Sequence, residues 1–177
     1  MGNIVQKSHT LKENVSQHSS LSQGLYPESS SVPVTSIEKP DIHIFLVDDD
    51  ILYLKLLENQ LSGNQKIKIT TFRTGEKCLE LLSENPDVII LDYFLNGNDK
   101  TAKNGLEILI KIKQEHPNIQ VLMLSAHENV EIALNCIRHD AFNFIVKNDT
   151  TFLRLKHSIK QIFSHYSKVK ELVVWDW

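Results

Sequence analysis

The chain has 177 residues, of which 41% are hydrophobic, and a formal net charge of -3. That suits one ordinary domain with tails, and the lack of any long Lys or Arg run speaks against a direct nucleic-acid groove. No apolar run approaches the roughly 18 to 20 residues that cross a bilayer.

The N-terminus has no signal-peptide core, and Gln6 stands where a myristoylation motif needs Ser or Thr, so a cytoplasmic protein without membrane contact is expected. Cys78 and Cys136 lie far apart without metal-ligand spacing and read as small core hydrophobes in a reducing compartment. Residues 1–40 are rich in Ser, Gln, Asn and Lys, carry Pro27, Pro33 and Pro40, and show no sustained period; a disordered tail or linker is expected there.

From Asp41 the pattern changes. IHIFLV is followed by ILYLKLLENQL, with Leu54, Leu57 and Leu61 on one face; KIKITTF by GEKCLELLSE; DVIIL by GLEILIKIKQEH; IQVLML by ENVEIALNCIR; FNFIV by FLRLKHSIKQIF. Five strand-then-helix units, with nearly continuous apolar runs in DVIIL and IQVLML, predict an α/β fold with a doubly wound parallel sheet covered on both faces. Thr74-Gly75, Asn85-Pro86, His116-Pro117-Asn118 and Asn148-Asp149-Thr150 mark element boundaries. The expected domain is 41–168, with 169–177 a C-terminal tail holding Trp175 and Trp177, and no output domain of its own.

Ligands of open α/β sheets bind beyond the carboxyl ends of the strands. Those ends carry Asp48 and Asp49 after the first strand, Asp92 after the third, Ser125 and Ala126 after the fourth and Lys147 after the fifth. Taken singly, each has an ordinary explanation; Asp50, next in line, reads as the N-cap of the first helix. Together the carboxylates form a hard oxygen site suited to Mg²⁺, in which an aspartate can act as nucleophile toward a phosphoryl group. Lys147, the Ser125 hydroxyl and the Ala126 N–H would stabilise its oxygens. Three aspartates where a dinucleotide fold has G-x-G-x-x-G argue against a dinucleotide site.

VDDD at 47–50, IILD at 89–92, MLSA at 123–126 and FIVK at 144–147 together resemble the receiver domain of two-component response regulators, across about residues 41–168. The resemblance implies a flavodoxin-like (βα)5 three-layer sandwich with strand order 2-1-3-4-5. It implies that Asp92 accepts a phosphoryl group from a phosphohistidine of a sensor histidine kinase or phosphotransfer protein. Asp49, Asp92 and the backbone carbonyl of Phe94 would hold Mg²⁺ directly, and Asp48 through a water. Ser125 and Lys147 would bind the phosphoryl group, Ser125 and Phe144 would switch, and the fourth helix, fifth strand and fifth helix would form the output face, with a homodimer through that face as one option. Such a protein acts on no substrate but itself; it is a regulatory phosphoacceptor with an unspecified downstream protein partner.

The sequence departs from the family where Asn96 stands near a usual Pro, where NGNDKTAKNG lengthens the loop before Gly105, where Lys147 is followed by Asn148 rather than Pro, and where Phe144 replaces the commoner Tyr. Two other readings remain: a receiver-shaped adaptor that works without phosphate, and a Mg²⁺-dependent phosphohydrolase of the haloacid dehalogenase type. The second lacks its general acid, since Phe94 occupies that place. Phe94 is also expected to obstruct a water attacking phosphorylated Asp92.

Overall fold

A computed structural model describes residues 42–63, 66–95 and 103–164. The tails expected at 1–40 and 169–177, and most of the lengthened loop after Asn96, lie outside the described residues. Five strands form one parallel sheet in the order β2-β1-β3-β4-β5: β1 (Ile42–Val47), β2 (Ile67–Phe72), β3 (Val88–Asp92), β4 (Gln120–Ser125) and β5 (Asn143–Val146). The helices are α1 (Ile51–Leu61), α2 (Gly75–Glu80), α3 (Gly105–Glu115), α4 (Val130–Arg138) and α5 (Thr151–Ser164). This is the flavodoxin-like topology expected from the sequence.

Every residue of β1 and β3 is buried, which explains why these strands are apolar without alternation. Successive side chains still point to opposite faces, so each strand feeds two cores. Phe45, Val47, Ile89, Leu91, Val121 and Met123 pack with Cys78, Ile108, Ile112 and Cys136 from α2, α3 and α4. Ile44, Leu46, Ile90, Leu122 and Ile145 pack with Leu54, Leu57, Leu61, Leu155 and Ile159 from α1 and α5. Both cysteines are free and buried, and burial pushes their thiols up to about 12 for Cys78 and about 11 for Cys136, as suits core groups. No helix among the described residues is long and apolar enough to cross a membrane.

The helix starts follow local polar chemistry. Asp50 caps α1 by accepting from Leu52 N at 2.8 Å and Tyr53 N at 3.2 Å, and Thr74 caps α2. Asn104 and Glu107 make a reciprocal capping box at α3. α4 begins at Val130, two residues after the apolar pattern starts at Glu128, because the Asn129 side chain accepts from Ile132 N. The second helical segment also breaks: α2 gives way to a 3-10 turn at Leu82–Glu84, closed by Asn85 in the left-handed region at φ 51°. Asn148, standing where the family has Pro, organises the turn into α5 by accepting from Thr150 N at 2.9 Å and Thr150 Oγ1 at 2.7 Å. The peptide bonds of the described residues are all trans.

The register sets the site. Val47 lies beside Leu91, Asp92 beside Leu124 and Ser125 beside Val146, so the polar residues that end β1, β3, β4 and β5 emerge at one edge. Gly105 closes this edge from below. Its N–H donates to Tyr93 O at 2.8 Å, and a Cβ there would overlap the Asp92 carbonyl oxygen and stand 2.8 Å from Tyr93 Cα. Gly105→Ala is therefore expected to lower stability by about 2 kcal/mol through overpacking against rigid backbone. Urea denaturation measures this; an unchanged midpoint and slope would contradict the close approach.

Candidate functional site

β1 delivers Asp48 and Asp49, β3 delivers Asp92, and the turn after β5 delivers Lys147. Asp48 and Asp92 are buried, Asp49 half-buried, and one carboxylate oxygen of each lies within 4.8 Å of the others. The Lys147 ammonium sits between two of them, 2.7 Å from Asp48 Oδ2 and 2.8 Å from Asp92 Oδ1. The remaining oxygens are partly tied to backbone: Asp48 Oδ1 accepts from Asp50 N at 3.0 Å, and Asp92 Oδ2 from Phe94 N at 2.9 Å.

Three carboxylates facing one ammonium leave two formal negative charges at a site where two of the acids are buried. Burial raises the carboxyl pKa of Asp48 and of Asp92 above the usual range, against the opposing pull of Lys147. Burial also acts to lower the Lys147 ammonium, but Asp92 and Asp48 outweigh it and hold its pKa above the ordinary lysine value. Asp92 Oδ1 is buried and, apart from the ion pair, has no hydrogen-bond partner of regular geometry. A small divalent cation with oxygen preference fits this donor set, since it supplies the two missing positive charges and takes the free carboxylate oxygens. Asp48, Asp49 and Asp92 are the side chains that would hold it.

The other residues singled out from sequence divide into two groups. Ser125 is fully buried at the end of β4, but its hydroxyl is engaged locally: Oγ donates to His127 O at 3.0 Å and accepts from His127 N at 3.1 Å. Ala126, next to it, is exposed. Phe144 lies on β5 and packs, partly buried, against the core beneath α3 and α4, while its carbonyl accepts from Arg154 Nη2 at 3.2 Å. Phe94 turns back over the site through its N–H to Asp92.

Two residues that sequence reasoning did not single out contact those that it did. The Lys147 ammonium stands 4.3 Å from the centroid of the Tyr53 ring, and the His127 ring meets the Phe94 ring edge to face at 5.2 Å. Tyr53 sits one position before Leu54 of the buried stripe and three after the capping Asp50, which was the only signal available. His127 had none beyond its place two residues after Ser125.

The family model described as "Response regulator receiver domain" matches residues 44–159. Over 105 residues the chain is 35% identical to the DNA-binding transcriptional regulator NtrC of Escherichia coli (strain K12), a stretch that is 59% of this chain and 21% of NtrC. It is 34% identical over 106 residues to the nitrogen assimilation regulatory protein NtrX of Azorhizobium caulinodans, 59% of this chain and 23% of that one. The chain thus spans about a fifth of the length of these curated relatives. The crystal structure of the receiver domain of NtrX from Brucella abortus superposes with a TM-score of 0.60 at 30% identity, covering 69% of this chain and 98% of that one.

The charge imbalance gives a direct expectation. Mg²⁺ at ten times its Kd adds about 1.4 kcal/mol of stability by mass action, a rise in Tm of roughly 5 °C for a domain of this size. Asp49→Asn removes most of the rise. Thermal melts with and without Mg²⁺ test this, and an equal rise in both proteins would contradict the site.

Proposed function

Because the chain belongs to the response regulator receiver domain family, we propose that it is a phosphoaccepting switch in which Asp92 takes a phosphoryl group from a phosphohistidine of a sensor kinase or phosphotransfer protein. The observation that carries this reading is the meeting of Asp92 with Asp48, Asp49 and Lys147 at one sheet edge. An Asp92 carboxylate oxygen attacks phosphorus; the new P–O bond forms as the P–N bond breaks, and the departing imidazole keeps the electron pair and takes up a proton. Mg²⁺, when bound at the three aspartates, supplies positive charge to the transferring phosphoryl oxygens. The Phe94 carbonyl and a water on Asp48 complete that proposed ligand set.

Lys147 then acts as the protein's own cation. Already 2.8 Å from Asp92, it needs only a short movement to pair with a phosphoryl oxygen. Ser125 does the switching. To donate to the phosphoryl group its hydroxyl gives up the bond it donates to His127 O, and the segment leading into α4 loses that anchor. Phe144, packed under the same region, follows by changing rotamer. α4 displays Val130, Leu134 and Ile137 and α5 displays Leu153, so the face that moves is also one with apolar side chains to offer a protein partner or a second copy.

In this reading the chain is a cytoplasmic regulatory phosphoacceptor, catalysing only its own phosphorylation and dephosphorylation. Signal leaves through protein contacts; the DNA binding in the name of the NtrC relative belongs to a protein of which the match covers 21%.

Incubation with acetyl phosphate and Mg²⁺ is expected to add the mass of one phosphoryl group to the wild type and none to Asp92→Asn. No gain, or a gain that survives Asp92→Asn, overturns the proposal. The Phe94 ring, two residues after Asp92 and in contact with the His127 ring, is proposed to restrict the approach of a hydrolytic water. Phe94→Asn is accordingly expected to lose its phosphoryl group severalfold faster than the wild type, and equal or slower decay would count against that role.

A further inference from the structure

We propose that Tyr53 is a positioning residue for Lys147, holding its ammonium against Asp92 through the face of the aromatic ring. The proposal rests on the phosphoaccepting reading for its kinetic consequence, and on geometry alone for the contact.

Lys147 has three close neighbours. Two are carboxylates, at 2.7 Å and 2.8 Å, and the third is the Tyr53 ring, 4.3 Å from the ammonium to the centroid. The carboxylates come from the ends of β1 and β3, whereas the ring comes from the first turn of α1. A lysine side chain has four rotatable carbons and loses much rotamer freedom when fixed. The aromatic face offers a negative surface that attracts the ammonium without taking up one of its N–H donors.

The partners differ in what they do when the site is used. Asp48 and Asp92 are also the groups to which a divalent cation and a phosphoryl group would bind, so their hold on Lys147 weakens when the lysine is needed. The ring has no competing ligand. It keeps the ammonium at Asp92 while the ionic partners change.

Tyr53 also packs, partly buried, against the core on the α1 and α5 side. Its hydroxyl is buried and makes no hydrogen bond of regular geometry, although the Thr151 side chain lies close enough to affect its ionisation. The ring is what the lysine uses, and the backbone that carries it is held by Asp50, the α1 cap, which accepts from Tyr53 N at 3.2 Å.

Tyr53→Phe, Tyr53→Leu and Lys147→Met, singly and with Tyr53→Leu in the Lys147→Met background, test this with two readouts. Without any phosphodonor, the Lys147 Cε protons are expected upfield in the NMR spectrum of the wild type and of Tyr53→Phe, and at ordinary positions in Tyr53→Leu. With acetyl phosphate and Mg²⁺, uptake of phosphoryl is expected to slow about fivefold or more in Tyr53→Leu, to return toward wild type in Tyr53→Phe, and to be unaffected by Tyr53→Leu once Lys147 is Met. Lysine shifts indifferent to Tyr53→Leu, a Tyr53→Phe as slow as Tyr53→Leu, or equal slowing by Tyr53→Leu with and without Lys147 each overturn the proposal. A wild type that takes no phosphoryl group overturns the functional reading instead, and the NMR result still decides the contact.

Discussion

The ammonium of Lys147 bridges Asp48 and Asp92 at 2.7 Å and 2.8 Å, and the organisation of the sheet's functional edge depends on that bridge. Two buried carboxylates this close to a third would repel strongly in a medium less polar than water. One lysine offsets part of the repulsion and leaves a residual charge that suits a divalent ion. The strand order makes the contact demanding. β3 and β4 lie between β1 and β5, three strand spacings or about 14 Å. The long side chain of Lys147, on the turn after β5, closes only part of that distance, and the acids at the ends of β1 and β3 reach inward to meet it.

The same edge explains how a local charge change can be felt elsewhere. In the proposed switch Ser125 would link chemistry to shape, because its hydroxyl ties down His127 in the arrangement described. Its backbone carbonyl is also bonded, accepting from Lys147 N at 2.7 Å, so β4 and the β5 turn are joined at the point where both offer side chains to the site. A bond gained by Ser125 at the centre is thus a bond lost at the entrance to α4. β1 and β3, wholly buried and with Gly105 pressed against the Asp92 backbone, are the elements that position the acids.

Most of this frame was legible in the sequence, for identifiable reasons. β1 and α1 begin and end where the apolar run and the Asp50 cap put them, since a buried central strand and a capped helix are both set by local sequence. The strand ends were legible because parallel βα winding sends all of them to one edge. The breaks were less so. α2 carries a helical pattern through residue 84, but the chain tightens into a 3-10 turn and closes through Asn85 in a left-handed conformation, a choice made by tertiary packing. α4 starts late because Asn129 competes for Ile132 N.

Tyr53 and His127 were missed because their roles depend on neighbours far away in sequence. The meeting of Tyr53 with Lys147 is fixed by the angle between α1 and the end of β5, and no periodicity carries that angle. Ser125 was expected at the site from its place at the end of β4, whereas its engagement with His127 follows from the turn geometry after that strand.

The central claim, that Lys147 and a divalent ion share the task of offsetting one set of carboxylates, is tested most directly by calorimetric titration of Mg²⁺ into the wild type and into Lys147→Met. Removing the ammonium leaves Asp48, Asp49 and Asp92 with more uncompensated charge, so the account predicts severalfold tighter Mg²⁺ binding in Lys147→Met. Unchanged or weaker binding would contradict it.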